Sequence, residues 1–232
     1  MSASRLEGQV IAVTAAESGF GRSIATALST QGATVVLIGG NAEAASQLAS
    51  RIEAQGGSAI PIKSEGTGLL DWTGAQEKIL EIFGSLHGVV HVADKVSHSN
   101  FDYLPASEWN DLTSWNVRST LLILQSLERA LPETWTTLIG PPLSADKLHM
   151  HALRGALEQL TTHALQERLR VNLLLPSRSA GSEEHDRGLC ELVIALADPH
   201  LAHIGGNVIP VPLPDLPSLE MEFQGNLGED WE

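Results

Sequence analysis

Short runs of β-branched and apolar residues recur along the chain and alternate with longer stretches whose apolar positions return every three to four residues. That alternation is the pattern of βαβ units. Strands are predicted over 10–14, 34–38, 59–62, 88–92, 136–140, 170–175 and 207–211. Residues 19–30 place Ile24, Ala25 and Leu28 on one face and stop at Gln31-Gly32, which predicts a first helix. Two long central helices are predicted over 109–131 and 150–168, and a last one over 182–197. Strands this uniformly apolar have no polar face to turn to water, so they belong in a sheet covered on both sides. The expected fold class is α/β, a single doubly wound parallel sheet of about seven strands with helices on both faces.

A chain of 232 residues suits one such domain and is short for two. The body is expected to span 1–213, followed by a tail over 214–232. Pro210, Pro212, Pro214 and Pro217 cannot continue a helix or a central strand. Beyond them come Asp215, Glu220, Glu222, Glu229, Asp230 and Glu232 with no base, interspersed with Leu219, Phe223, Leu227 and Trp231. The segment reads either as a disordered tail or as an arm whose apolar residues dock on a neighbouring subunit.

Charge and cysteine usage narrow the partners. A formal charge of −14 repels phosphates, which argues against nucleic acid and anionic membrane surfaces. Apolar runs such as 121–124 and 171–175 fall far short of the roughly 20 residues of a membrane span. The N-terminus carries Arg5 and Glu7 and lacks the apolar core of a signal peptide. Cys190 is the only cysteine, so no intrachain disulfide forms, and a cytoplasmic location is expected. It falls in an apolar helical run and reads as a core residue.

The candidate chemistry begins after the first strand, at Thr14-Ala15-Ala16-Glu17-Ser18-Gly19-Phe20-Gly21. A glycine turn opening a helix lets backbone N–H groups approach a pyrophosphate. The segment resembles the TGxxxGxG loop of the short-chain dehydrogenase/reductase family, a Rossmann-type fold. The resemblance continues through Trp109-Asn110-Asp111-Leu112 and Trp115-Asn116-Val117, which look like the helix bearing the tetrad Asn. Residues 152–161 look like the ASKAALEGLT helix, 170–177 resemble the RVNxxxPG strand and turn, and 205–211 fit the closing strand. If a cofactor binds, the resemblance implies contacts from Thr14, Ser18, Gly19, Phe20, Gly21, Ala93 and Arg154.

Each cofactor-facing station is altered. Ala15 replaces the first glycine, and Glu17 adds a carboxylate where phosphate should be welcome. The second strand ends in Ile38-Gly39-Gly40-Asn41, with neither the acid for a ribose diol nor the Arg for a 2′-phosphate. Lys63-Ser64 stands where the family offers an Asp to adenine, and His91-Val92-Ala93-Asp94 stands for NNAG, keeping only Ala93.

In the same register the YxxxK pair falls on Met150 and Arg154. The mechanism implied by the family needs Tyr and Lys one helical turn apart, so that the ammonium lowers the phenol pKa. Methionine has no proton to give, and arginine is not a simple substitute for lysine. The single tyrosine, Tyr103, lies outside the catalytic segment. The tetrad serine should follow the fifth strand, where the chain reads Ile139-Gly140-Pro141-Pro142, with Ser144 later. Asn116 and Arg154 are vestigial catalytic positions, and Asn116 reads as a structural survivor. His149 and His151 flank Met150 but point about 100° off its face, and they do not share a face as metal ligands. The lid between Pro176 and the last helix is expected to shrink to 177–181.

The leading expectation is a non-catalytic family member that serves as an assembly or regulatory subunit. It would form a homodimer or homotetramer, or a hetero-oligomer with an active relative, through the helices over 150–168 and 182–197 and the strand over 207–211. It would bind no cofactor, or NAD(P) weakly. The alternatives are an NAD(P)-dependent oxidoreductase with an unusual acid and a dinucleotide-sensing regulator using Arg154, Gly19 and Gly21. A halohydrin-dehalogenase-like activity finds thin support in Arg154 alone, because those enzymes also need Ser and Tyr.

Overall fold

The computed structural model describes residues 4–17, 19–64 and 69–214. These build one parallel sheet of seven strands in the order β3-β2-β1-β4-β5-β6-β7. The strands are β1 (Val10–Thr14), β2 (Thr34–Gly39), β3 (Ser58–Lys63), β4 (Gly88–Val92), β5 (Trp135–Ile139), β6 (Val171–Pro176) and β7 (Asn207–Val211). The helices are α1 (Gly19–Thr30), α2 (Ala42–Ala54), α3 (Leu69–Phe83), α4 (Ala106–Thr113), α5 (Ser119–Ala130), α6 (Leu148–His163) and α7 (Arg187–Ala197).

The period-two alternation of a strand distributes its side chains to two cores. Ile11 and Val13 of β1, with Val35 and Leu37 of β2, pack under Ile24 and Leu28 of α1, Ile52 of α2 and Val193 of α7. Val10 and Ala12, with Val36 and Ile38, pack on the other face against Trp72 and Ile79 of α3, Leu127 of α5 and Leu157 of α6. Every residue of β1, β4, β5 and β6 is buried, as a sheet covered on both faces requires.

Several boundaries differ from the sequence expectation, four of them with a bearing on the site. β5 begins one residue early because Trp135 pairs with Gly88, whose missing side chain leaves room for the indole. The helix expected over 109–131 starts at Ala106 and is interrupted by a π-helical turn, Ser114–Arg118, which carries Asn116. The helix expected to reach 168 stops at His163, and a 3₁₀ turn ends it at Arg168, whose φ is 61°. The last helix starts at Arg187, so the lid connection is 177–186 rather than 177–181. Cys190 lies in the core as expected, and burial pushes its thiol up to about 12. The acidic segment from Asp215 onward lies outside the described residues.

β1 sits beside both β2 and β4, so the chain reverses direction across the sheet there. Doubly wound sheets place their ligand crevice at the carboxyl ends of the strands at such a switch point.

Candidate functional site

The glycine turn leaves β1 with its intended shape despite the substitution in it. Ala15 takes φ 48°, a left-handed conformation that glycine would adopt at lower cost. Gly21 is required by close approach, since a Cβ there would run into the carbonyl of Ala15. Phe20, expected near the cofactor, is fully buried in the core instead. The packing face of α1 claims it. Ser18 lies outside the described residues.

Glu17 does not face solvent. Its Oε1 accepts from the backbone N–H of Gly40 at 3.1 Å and of Asn41 at 3.3 Å. Its carboxylate lies against Gly39, where a Cβ would overlap it. Asn41 caps α2 by accepting from Ala44 N at 3.1 Å, and Ala16 N bonds Ile38 O at 3.2 Å. The glycine turn is thereby tied to the end of β2, with residue 17 lying over it. Between Ala15, Ile38, Ser64, His91, Trp115 and Ser119 lies a cavity of about 20 Å³. That is room for about one water, against the roughly 300–1,000 Å³ of ordinary small-molecule sites.

Thr14 and His91 are engaged in a directional hydrogen-bond chain. Ser119 Oγ donates to Trp115 O, so it must accept from His91 Nε2, 2.9 Å away. His91 Nδ1 is then the ring's acceptor and takes the proton of Thr14 Oγ1 at 2.9 Å, while Thr14 accepts from Val92 N. Burial lowers the His91 pKa to about 4, which keeps this neutral tautomer in place. Ala93 is buried and donates its N–H to Ile139 O at 2.8 Å. Burial pushes the neighbouring Asp94 carboxyl up to about 6.

The segment that resembles the family's catalytic helix is turned to packing. Met150 is 0% exposed and joins Leu112 and Leu153 in a small third core, with Val96, Leu104 and Trp109 around it. Arg154, expected as a possible ribose contact, is buried and donates to Pro142 O at 2.8 Å and Ala145 O at 3.2 Å. Its remaining reach goes to His151 Nδ1 at 3.3 Å, so its fork holds the β5–α6 loop. A side chain at Gly140 would press on Leu175 and Leu173, and the only serine in this loop, Ser144, is exposed with its N–H on Ser177 O. Asn116 accepts from Lys95 N at 3.0 Å and donates to Lys95 O at 2.9 Å, a two-bond clamp on the β4–α4 loop.

Of the flanking histidines, His149 is buried, stacked on Phe101 at 6.4 Å, and its ring nitrogens have no partner among the described residues. Burial, then Lys147, lowers its pKa. His151 is exposed, with Nε2 2.7 Å from Asp146 Oδ1. Nearby, Ser97 and Ser99 donate to Glu108, which those hydrogen bonds hold down at about 2. Lys147 Nζ donates to the carbonyls of Ser97 and Ser99. Among the described residues no group of three or more His, Cys, Asp or Glu could hold a metal, and no helix is long and apolar enough to cross a membrane.

The lid connection 177–186 is fixed rather than hinged. Asp186 is 0% exposed and accepts from Ser23 Oγ of α1, Arg178 Nη1 and Gly181 N. Arg178 also reaches Pro214 O and His185 O. Pinned in this way, Ala180 stands over the glycine turn, 3.5 Å from where a Cβ of Gly19 would be. Sequence reasoning missed this anchor because Ser23 and Asp186 are far apart in the chain. It also missed the Glu17 contact, although a carboxylate in the glycine turn opposite Gly39-Gly40 was the available signal.

The family's dinucleotide therefore meets a preserved backbone turn and a filled adenosine side. Ala180 covers the turn, Glu17 takes the amides at the end of β2, and Arg154 is committed elsewhere. The residues present do not fit the cofactor as they stand.

Comparison with known proteins agrees with the architecture. The short chain dehydrogenase family model matches residues 9–137. A 2,5-dichloro-2,5-cyclohexadiene-1,4-diol dehydrogenase of Sphingobium indicum is 27% identical over 188 residues, covering 75% of this chain and 74% of that protein. An uncharacterized oxidoreductase of Methylorubrum extorquens is 26% identical over 196 residues, covering 80% and 79%. Among solved structures, a hydroxysteroid dehydrogenase from Escherichia coli superposes with a TM-score of 0.80 at 19% identity, covering 91% of this chain and 98% of that one. A short-chain type dehydrogenase/reductase from Mycobacterium marinum gives 0.79 at 22%, covering 90% and 96%.

Proposed function

Starting from the fact that the chain belongs to the short chain dehydrogenase family, we propose that it has kept the family's fold while giving up tyrosine-dependent hydride transfer, and that it acts as an assembly or regulatory subunit. The observation that carries this reading is Met150. The position that must present an ionisable phenol to substrate holds a thioether sealed in a small core. No proton can be exchanged there, and general acid catalysis is typically worth 10²–10⁴-fold in rate. The buried lone cysteine suits a reducing compartment, and the protein is proposed to be cytoplasmic.

Association would use the faces of α5 and α6, the latter being one of the elements through which the sequence resemblance implies that family members associate. Between these helices runs an apolar groove of about 610 Å³, lined by Val117, Leu121, Leu124, Ala156, Leu160 and Leu169 among others. A second copy of the chain is the occupant proposed.

The relatives bear names of dehydrogenases and oxidoreductases, and those names favour a second reading, an NAD(P)-dependent oxidoreductase with an atypical acid. His151, next to Met150 in the chain, is paired with Asp146 and is the candidate acid. Incubating the purified protein with NADH or NADPH and a panel of ketones and aldehydes, and with NAD(P)⁺ and alcohols, separates the two. We expect no change in absorbance at 340 nm above a no-protein control. Turnover that disappears in His151→Asn or Arg154→Ala would replace the first reading with the second.

A further inference from the structure

We propose that Glu17 is a built-in occupant of the anion-binding end of the crevice, standing in place of a ligand phosphate at the end of β2. Two backbone N–H groups converge on one of its oxygens. Its other oxygen, Oε2, is buried without a partner among the described residues. A surface carboxylate gains nothing by leaving an oxygen unsolvated, so the contact must be held by the loop that presents it. The bond from Ala16 N to Ile38 O and the bare backbone at Gly39 do this, by bringing residue 17 over the strand end and leaving space for its carboxylate.

The groups Glu17 satisfies are all donors. With the carboxylate removed, Gly40 N and Asn41 N would face the vacated space, at the N-terminal side of the 13-residue helix α2. Amides at a helix start favour an anion. A ribose diol, which needs an acceptor for its hydroxyl protons, is poorly matched to them. The class of ligand that fits the vacated position is therefore a phosphate or another small oxyanion. This inference shares with the non-catalytic reading only the point that cofactor is kept out, and its test reads binding rather than turnover.

The probe is inorganic phosphate, titrated into wild type, Glu17→Ala and Glu17→Gln by calorimetry. Glu17→Ala is expected to bind at least about tenfold more tightly than wild type. Glu17→Gln should gain less, because its carboxamide oxygen still occupies the two amides. Equal binding by wild type and Glu17→Ala overturns the proposal. So does an equal gain in both variants, which would reduce the effect to overall charge.

A second measurement needs no ligand. A Cβ at Gly39 expels the Glu17 carboxylate, so Gly39→Ala in wild type should lower Tm by about 3 °C, and by clearly less in a Glu17→Ala background. The same loss in both backgrounds means that the carboxylate is not seated there, and the proposal fails. In each of these outcomes the absorbance assay above reports separately on catalysis.

Discussion

Met150, which the sequence resemblance sets at the family's tyrosine position, packs against Leu112 and Leu153. Restoring the hydroxyl cannot restore the reaction. In Met150→Tyr the phenol would be forced into an apolar cluster without a partner, at a cost of about 1–3 kcal/mol. We expect Tm to fall by several degrees in a thermal melt, with no reductase activity gained even when Arg154→Lys is added. Retained stability together with NADPH oxidation would show that the position opens to the crevice.

His91 and Asp94 make opposite demands on pH. His91 has a folded pKa of about 4 against 6.5 unfolded, so below pH 6.5 the unfolded chain takes up a proton that the folded chain refuses. Its stabilising contribution is complete above pH 6.5 and lost as pH falls to 4, at most about 3 kcal/mol. Asp94, raised to about 6 from 3.8, acts the other way: its contribution is present below 3.8 and lost as pH rises through 6. Between pH 4 and 6 the two flatten each other. Asp94→Asn should therefore lose stability more steeply than wild type as pH is lowered from 6.5 to 4, measured by urea midpoints. Adding His91→Gln should remove that extra slope. At this scale the sequence disclosed what was missing, such as a tyrosine, because a side chain that is absent cannot be supplied by folding. It did not disclose that Thr14, His91 and Ser119 had built a closed hydrogen-bond chain, since their partners come from three different elements.

Strands and helices were largely readable because burial imposes their period, and β1, α1, β4 and β7 fall where the pattern puts them. The connection 177–186 was not readable. Its conformation is set by Asp186, whose partner Ser23 sits on α1 across 163 positions of chain, and no local pattern encodes such a pairing. The Arg178–Asp186 pair is 3.2 Å long, with the two side chains 11% and 0% exposed, so each charge depends on the other for solvation. Asp186→Asn leaves the guanidinium without a counter-charge in a nearly dry site and should cost about 3 kcal/mol in urea unfolding. It should also release Ala180 from the glycine turn, which faster amide hydrogen exchange at 179–186 would report. A midpoint unchanged from wild type would mean that the loop is held by Arg178's carbonyl contacts alone.

At the scale of the whole molecule, the two faces of the sheet are covered but one outer surface is not finished. The groove between α5 and α6 has an apolar floor, with Leu121 40% exposed, and an edge that includes Glu128 and Glu167. Apolar burial would draw two copies together here, while like acids on a chain of charge −14 would oppose it. The two effects respond differently to salt. Screening weakens the repulsion, with a Debye length near 10 Å at 0.1 M falling to about 3 Å at 1 M, and leaves the apolar contact in place. Light scattering on a sizing column should therefore show a dimer whose dissociation constant falls as sodium chloride is raised. Leu121→Glu and Leu160→Glu place a further carboxylate on the buried floor and should shift the protein to monomer, weakening association by about 100-fold or more without altering the far-UV circular dichroism. If wild type is monomeric at micromolar concentration in high salt, this surface meets a different partner or none. If the variants stay dimeric, the copies associate through another face, and the argument from the groove between α5 and α6 is wrong.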